Sequence, residues 1–250
     1  MAIVLEQTVG QRGSGGDRTA ASLAVAAGDV LIAICTAQDS NTNNLPVGSV
    51  IFNGSENFTL VIAAGGSAGA GQPCRIEIWR LNAPTATTAN VVADFASGIN
   101  ETTLTVFRLS GADAADLIEA QDSDTANGFA PAMSLVTAAA GAFALGGIVS
   151  EAEITGYGTS QTERSNFDDQ GFENSNTSTE PLASAGTHDH SYGMSGGNPY
   201  AQASIAINAS AGGGETSDVK KLSGVLHASL KKISGIVEAS VKKVSGVSNV

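Results

Sequence analysis

The chain has 250 residues, of which 24 are acidic and 12 are basic, so its net charge is −12. Its length is enough to bury a sizeable core. The phosphates of nucleic acids bind clustered Lys and Arg, so an acidic chain predicts no nucleic-acid partner. No stretch approaches 18 consecutive apolar residues, and the N-terminus has neither the basic start nor the cleavage pattern of a signal peptide. We therefore expect no membrane partner and no signal peptide.

Strand-like runs follow one another along the chain. They lie at 3–9, 19–26, 29–37, 47–53, 58–64, 74–82, 88–95, 102–109, 116–121, 133–138, 142–149 and 199–207. Many of them alternate apolar and polar residues, as Ile76 and Ile78 do with Glu77 and Trp79, and turn signals recur every 8–15 residues. No comparable helical period is present. This pattern predicts an all-β fold, an antiparallel β-sandwich or barrel.

Residues 151–198 are polar and poor in apolar side chains. We interpret them as long loops with short strands near 159–164 and 180–188, and long loops in a compact domain are usually functional or mobile. The run at 199–207 then closes the sheet. The sequence thus predicts a β-sandwich domain over 1–208, a Gly/Ser linker over 209–218 and a tail over 219–250.

All six lysines lie in the last 31 residues and mark an 11-residue repeat with the pattern apolar-Lys-Lys-apolar-Ser-Gly-apolar. They are Lys220, Lys221, Lys231, Lys232, Lys242 and Lys243. Residues 1–218 hold six arginines against 23 carboxylates, a net charge of −17, whereas the tail has a net charge of +5. The chain therefore consists of an acidic body and a basic repeated tail.

Two conformations of the tail are open. Asp218, Ser229 and Ser240 are good N-caps and a Gly follows each short block, so each repeat can be one helical turn followed by an extended piece. The 11-residue period also suits a continuous amphipathic helix, but each Gly costs that helix about 1 kcal/mol relative to Ala. We favour the broken form.

In either form the tail cannot bury a core alone. Its apolar positions are Leu222, Val225, Ile233, Ile236, Val244 and Val247. We expect these residues and the six lysines to bind other subunits, because so many apolar side chains are not left exposed on a short segment.

Several segments occur in an order that is similar to a known kind of domain. They are GDVLIAI (28–34), VIFNGSENFTLV (50–61), RIEIWRL (75–81), VFRLSGAD (106–113) and AQASIAI (201–207). This succession resembles a jelly-roll-like β-sandwich domain of phage and prophage structural proteins and of some bacterial surface proteins, over roughly 15–207. The Lys-Lys-x-Ser-Gly-Val repeats resemble C-terminal repeats of phage tail and virion proteins. The resemblance implies a virion structural protein, assembled in the host cytoplasm, with no catalytic residues to carry over.

Three groups of polar residues are candidates for metal or catalytic chemistry. His188 and His190 point to one side of a strand, as a pair of metal ligands requires, and Asp168, Asp169 or Glu173 is a candidate third ligand. We favour the reading in which both histidines are simply solvated, so we predict no metal site and no cofactor.

The second group is Glu151 and Glu153, spaced like the paired carboxylates of glycosidases but without an aromatic platform. The third is Asp39 with Asn41, Asn43 and Asn44, whose oxygens suit Ca²⁺, although a polar turn is the simpler reading. No nucleophile elbow, phosphate loop or zinc-type Cys spacing occurs, and we predict that the protein is not an enzyme.

The sequence also predicts where the tryptophan, two tyrosines and both cysteines lie. Trp79 is predicted to lie in the core, and Cys35 and Cys74 are predicted to be buried free thiols rather than a disulfide. Tyr157 and Tyr192 are expected to be exposed and, with the two histidines, are candidates for contact with a ligand. Two functions follow: a structural assembly protein that binds copies of itself and other virion proteins through its tail, or a carbohydrate-binding module that contacts a host glycan through 151–198.

Overall fold

A computed structural model describes residues 2–40, 45–66, 73–168 and 174–210, which lie in one compact unit, Met1–Gly212. Every regular element of this part of the chain is a β-strand, and all strand pairs are antiparallel. The predicted all-β sandwich is confirmed. Among the described residues there is no helix able to cross a membrane. The tail and the Asn41, Asn43 and Asn44 loop lie outside the described residues, so the predictions made for them stay predictions.

Nine strands form the first half of the body. They are β1 (Val4–Gly13), β2 (Arg18–Ala24), β3 (Val30–Gln38), β4 (Val47–Phe52), β5 (Glu56–Asn57), β6 (Thr59–Gly66), β7 (Cys74–Asn82), β8 (Thr88–Phe95) and β9 (Glu101–Ser110). They make two sheets, with the strand orders β1-β9-β3-β7-β6 and β2-β8-β4-β5. We call these the first inner sheet and the first outer sheet.

Eight strands form the second half. They are β10 (Ile118–Asn127), β11 (Ala132–Thr137), β12 (Phe143–Ser150), β13 (Ile154–Tyr157), β14 (Thr162–Asp168), β15 (Asn174–Pro181), β16 (Gly186–Met194) and β17 (Pro199–Ile207). They make a second inner sheet, β10-β17-β12-β15-β14, and a second outer sheet, β11-β16-β13.

The two halves have the same topology. Because only Phe58 separates β5 from β6, these two strands act as one strand that bends from the outer to the inner sheet. With that strand counted once, each half has eight strands, and its inner sheet reads first-eighth-third-sixth-fifth while its outer sheet reads second-seventh-fourth. This is the jelly-roll order, except that most of the fifth strand joins the inner sheet. The body is therefore two tandem sandwiches, a repeat that is not visible in the sequence.

The two inner sheets pack face to face, so the body has four layers. The first core lies between the first outer and first inner sheets, and the second core, which includes Ile34, Ile76 and Ile205, lies between the two inner sheets. The second outer sheet covers the other side through smaller apolar clusters. Strands β3, β12 and β17 are buried on both faces, which explains why β3 reads as the continuous apolar run VLIAICTA.

The stacking of the inner sheets follows a two-fold pattern. Strand β3 contacts β12, β7 contacts β17, β6 contacts β10, β1 contacts β14, and Thr103 on β9 hydrogen bonds Ser175 on β15. Exchanging each strand for its counterpart in the other half leaves this set of pairs unchanged. The two sandwiches are thus related as the two subunits of a symmetric dimer are, with β3 and β12 at the axis.

One end of this interface is polar. The hydroxyl groups of Thr36, Thr103 and Ser175 lie 2.6–3.1 Å from one another, and all three residues are buried. Close by, the Ser165 hydroxyl hydrogen bonds both Thr105 and Thr177. Because these hydroxyls satisfy one another, a polar strand such as β15 can lie in the middle of the body.

This finding corrects the interpretation of 151–198 as long loops with two short strands. The segment holds four strands, β13 to β16, and β15 is buried along most of its length. Its Asn, Ser and Thr side chains pack on both faces through hydrogen bonds, so apolar periodicity could not reveal it. Trp79 also differs from expectation: it packs against the first core but is only partly buried, and its Nε1 donates to the buried Glu77 carboxylate at 3.0 Å.

Gly147 and Ile34 are complementary at the two-fold axis. A Cβ placed on Gly147 would lie 3.3 Å from Ile34 Cγ2, 3.1 Å from Ile76 Cδ1 and 3.1 Å from the backbone oxygen of Asn176. The isoleucine of one inner sheet therefore occupies space that the glycine of the other leaves free. The two halves thus share a topology but carry different residues where they meet.

We expect Gly147→Val to destabilise the protein by about 1–3 kcal/mol, because the added methyl groups overpack a filled interface. Urea unfolding of the full chain measures the change. Combining it with Ile34→Ala, which alone should cost about 2–5 kcal/mol, should cost less than the sum by on the order of 1 kcal/mol. Gly156→Val on β13 is the control, because nothing lies within 4 Å of the position of its Cβ. Additive costs would show that the two residues do not compete for one space.

Candidate functional site: the polar interior and acidic face of the second sandwich

The interior of the second sandwich contains a hydrogen-bonded group around His190. This residue lies on β16 and is 1% exposed. Its Nε2 is 2.7 Å from the Ser178 hydroxyl and 3.3 Å from the Tyr192 hydroxyl, and its Nδ1 is 3.0 Å from the Ser204 hydroxyl. Gln161 donates its side-chain amide to Ser178 from the edge of the group. Strands of both sheets of the sandwich thus meet at one imidazole.

Burial sets the protonation of this group. It lowers the pKa of His190 to about 3, because the charged imidazolium would lose its hydration. Burial also raises the pKa of Tyr192 far above its ordinary value, so the phenol stays protonated. At neutral pH the ring is neutral, and both of its nitrogens are engaged by hydroxyl groups.

The chemistry open to this group is structural rather than catalytic. Ser178 and His190 are within hydrogen-bond distance, as a nucleophile and base would be. The histidine is oriented by the Ser204 hydroxyl, however, and the pair is closed to solvent, so no substrate reaches the Ser178 oxygen. We interpret the group as a buried hydrogen-bonded cluster that fills the interior of a sandwich with few apolar side chains.

The residues predicted to contact a ligand are placed in two different environments. His188 and His190 face the same side of β16, as the spacing predicts, but His188 lies nearer the surface, with Nε2 2.9 Å from the Ser184 carbonyl oxygen. Tyr192 is 2% exposed, so the expectation that it is exposed is wrong. Tyr157 is half-buried and accepts a hydrogen bond from Asn176 Nδ2 at 2.7 Å. Their role as ligand contacts stays a prediction.

The metal and catalytic candidates do not come together in the structure. Within the described ranges no three His, Cys, Asp or Glu side chains are arranged to hold a metal ion. Asp169 and Glu173 lie outside those ranges. Glu151 and Glu153 lie in the turn between β12 and β13, not on a strand, and Glu153 is exposed.

Both cysteines are buried and free, as predicted. Burial raises the pKa of the Cys35 thiol well above its usual range, and the nearby Glu77 carboxylate raises it further. Such a thiol is protonated and unreactive. Asp39 is buried beside the predicted calcium loop, whose asparagines are not among the described residues.

The acidic charge of the body is concentrated in the second sandwich. Residues 1–112 hold eight carboxylates and five arginines, whereas residues 113–210 hold 13 carboxylates and a single arginine, Arg164. Arginines of the first sandwich form ion pairs, for example Arg108 with Asp29 at 2.8 Å and Arg12 with Glu101 at 3.1 Å. Arg164 instead donates to the Thr179 hydroxyl. The second sandwich therefore carries a large uncompensated negative charge. The net charge of the whole body does not show this uneven distribution.

Two of these carboxylates cap the free edge of β11. Glu119 accepts hydrogen bonds from the backbone N–H groups of Ala138 and Ala139 at 2.5 and 3.1 Å, and Asp122 accepts one from Ser134 at 2.9 Å. Both come from β10 in the neighbouring sheet. Carboxylates at an edge strand satisfy its N–H groups and discourage the pairing of another strand.

An exposed apolar residue lies between these caps. Val136 is 63% exposed on the outer side of β11. On the same side, the Ser134 hydroxyl donates to Asp189 of β16 at 3.3 Å. We call this surface, made of Ser134, Val136 and Asp189 with Glu119 and Asp122 at its edge, the Val136 face.

No protein-family model, curated protein or solved structure matches the chain.

We expect the free energy of unfolding to fall at low pH because His190 is buried in its neutral form. Its pKa is near 6.5 in the unfolded chain and about 3 in the fold, so the unfolded state binds the extra proton first. The stabilisation is complete above pH 6.5 and is lost as pH falls from there toward 3, by about 1.4 kcal/mol per pH unit. Urea unfolding between pH 7 and 5 measures it, before most carboxylates titrate.

His190→Gln should remove this slope, although it also lowers stability at neutral pH. His188→Gln is the matched control, because it makes the same substitution on β16 outside the hydrogen-bonded group around His190. A slope that survives in His190→Gln would show that another group titrates.

Proposed function

We propose that the protein is a non-enzymatic structural component of a virion, and that its C-terminal repeats join it to other subunits. The body serves as a rigid scaffold and the tail as the joining element. Its partners are other copies of itself and other virion proteins.

The observation that carries this proposal is the separation of charge along the chain. Every lysine lies in the tail, and the second sandwich holds 13 carboxylates with one arginine. Opposite charges on separate parts of one chain favour association between them, because complementary potentials steer the encounter. The apolar residues of each repeat then supply contacts that do not depend on salt.

The construction of the body supports the same reading. Four sheet layers enclose three stacked interfaces, and His190 and Cys35, two groups able to do acid–base or thiol chemistry, are buried inside them. With both inner sheets covered, the described residues left for contacts are those of the outer sheets, the strand edges and the loops. This arrangement suits a protein whose role is to hold a shape and to present surfaces.

We do not propose the glycan-binding alternative. It depended on long loops over 151–198 and on exposed Tyr157 and Tyr192. That segment forms strands, Tyr192 is buried, and the Tyr157 hydroxyl is engaged by Asn176.

We expect deletion of residues 219–250 to leave a folded monomer, whereas the full chain forms larger assemblies. Circular dichroism checks folding, and sedimentation velocity measures size. Raising salt until the Debye length falls from about 10 to 3 Å should slow association of the full chain more than it loosens the finished complex.

Changing Leu222, Ile233 and Val244 together to Ser should also abolish assembly, because the apolar contacts provide the affinity. The matched control changes Ser223, Ser234 and Ser245 to Ala in the same tail. Assembly by the truncated chain, or by the Leu222/Ile233/Val244 variant, would contradict the proposed function.

A further inference from the structure

We propose that the Val136 face is the docking surface for the basic repeats of the C-terminal tail. This inference rests on the proposed function and adds to it the place where the tail binds. It uses only described residues of the body together with the sequence of the tail.

The first argument is exposure. Four large apolar side chains of the described body are prominently exposed: Val4, Leu60, Phe129 and Val136. Val136 and Phe129 are the most exposed of the four, and Val136 lies on the outer face of a sheet, where no described residue covers it. An outward valine on the edge strand of a three-stranded sheet favours a partner.

The second argument is the charge around that valine. Asp122 accepts the Ser134 N–H two residues before Val136, and Glu119 accepts the Ala138 N–H two residues after it. Asp189 lies across the pair with β16, in register with Ser134. The three carboxylates of Asp122, Glu119 and Asp189 thus lie around Val136.

In the described part of the second sandwich, no arginine lies beside these carboxylates to neutralise them. Arg164, the one arginine of residues 113–210, lies on β14 at the far edge of the other sheet of this sandwich. By contrast, Val4 pairs with Ser110, whose hydroxyl binds Glu6, and Glu6 is ion-paired with Arg108. Leu60 lies next to Thr59, whose partner on β7 is Arg80. Val136 therefore has acidic surroundings without a neighbouring arginine, whereas Val4 and Leu60 each lie close to one.

The third argument is the pattern of the tail. Each repeat has two lysines between two apolar residues, VKKL, LKKI or VKKV. A lysine lays its hydrocarbon stem on an apolar surface and extends its ammonium group to a carboxylate at the rim. In one such block, an apolar residue can therefore pack on Val136 while the two lysines pair with Asp189 and Asp122.

The fourth argument is reach. The described chain ends at Ser210, whose N–H donates to Gly111, and Asn208 donates to the Leu117 carbonyl just before β10 begins. Glu119 follows two residues later, so the chain leaves the body at the same end of β10 that carries this cap. The eight residues 211–218 can span at most about 26–29 Å. The repeats therefore begin within that span of Ser210.

The lysines make a direct test possible, since every one of them lies in the tail. A carbodiimide couples a lysine amine to a carboxylate with no spacer, so each lysine–carboxylate cross-link locates the tail on the body. We mix unlabelled and ¹⁵N-labelled full chains, cross-link them, and identify the joined peptides by mass spectrometry. We expect the tail lysines joined chiefly to Asp189 and Asp122, in peptides of mixed label.

The outcomes separate the docking surface from the function. Cross-links to Asp189 or Asp122 within one label only would support the docking surface and overturn the joining of copies. Mixed-label cross-links confined to other carboxylates, such as Asp17 or Asp94, would overturn the docking surface and leave the function standing. Absence of any lysine–carboxylate cross-link would overturn both.

Variants of the full chain give a second readout. Glu119→Gln, Asp122→Asn and Asp189→Asn together keep an acceptor oxygen at each cap and should slow association about tenfold by weakening electrostatic steering. The control removes three charges from the first sandwich with Asp17→Asn, Glu56→Gln and Asp94→Asn. Equal slowing by both sets would overturn the proposed surface.

Val136→Ser should weaken the finished complex on the order of tenfold, because it removes the central apolar contact. Val4→Ser, which changes an exposed valine of the other sandwich, should leave it unchanged. An unaltered complex with Val136→Ser would also overturn the docking surface.

Discussion

The packing of the two inner sheets is the interaction on which the rest of the body depends. One face of each inner sheet packs on the outer sheet of its own sandwich, and the other face packs on the inner sheet of the other sandwich. Neither inner sheet therefore has a free face. Strands β3, β12 and β17 of this double layer are buried on both faces. The outer sheets pack on this double layer, and it is at their outward faces that we propose partners bind.

That arrangement explains which strands could be predicted from sequence and which could not. The runs at 88–95 and 199–207 match β8 and β17 residue for residue, because apolar side chains mark them clearly. Strand β15 was missed because its sequence, NSNTSTEP, is polar on both faces. Its burial depends on hydroxyl partners in β9 and β14 that are distant in the chain, and a single sequence does not show which polar groups will meet.

The same limit applies to the candidate site. The spacing of His188 and His190 correctly placed both on one side of a strand, but spacing does not give depth, and one ring is buried while the other lies nearer the surface. The Val136 face was not predicted at all. An earlier signal for it exists in the sequence: dividing the body charge at residue 112 shows 13 of its 23 carboxylates in residues 113–210. Recognising that division requires knowing that the body has two halves.

The position of β17 has a consequence for how the chain is made. This strand lies between β10 and β12, so the second inner sheet stays incomplete until the last residues of the body have been synthesised. Pairings between such distant segments form late and slowly. The lysines follow only after β17 in the chain. A newly made body therefore completes its acidic sandwich as its cationic segment emerges, and translation order limits the time for which an unfinished body is exposed to its own basic tail.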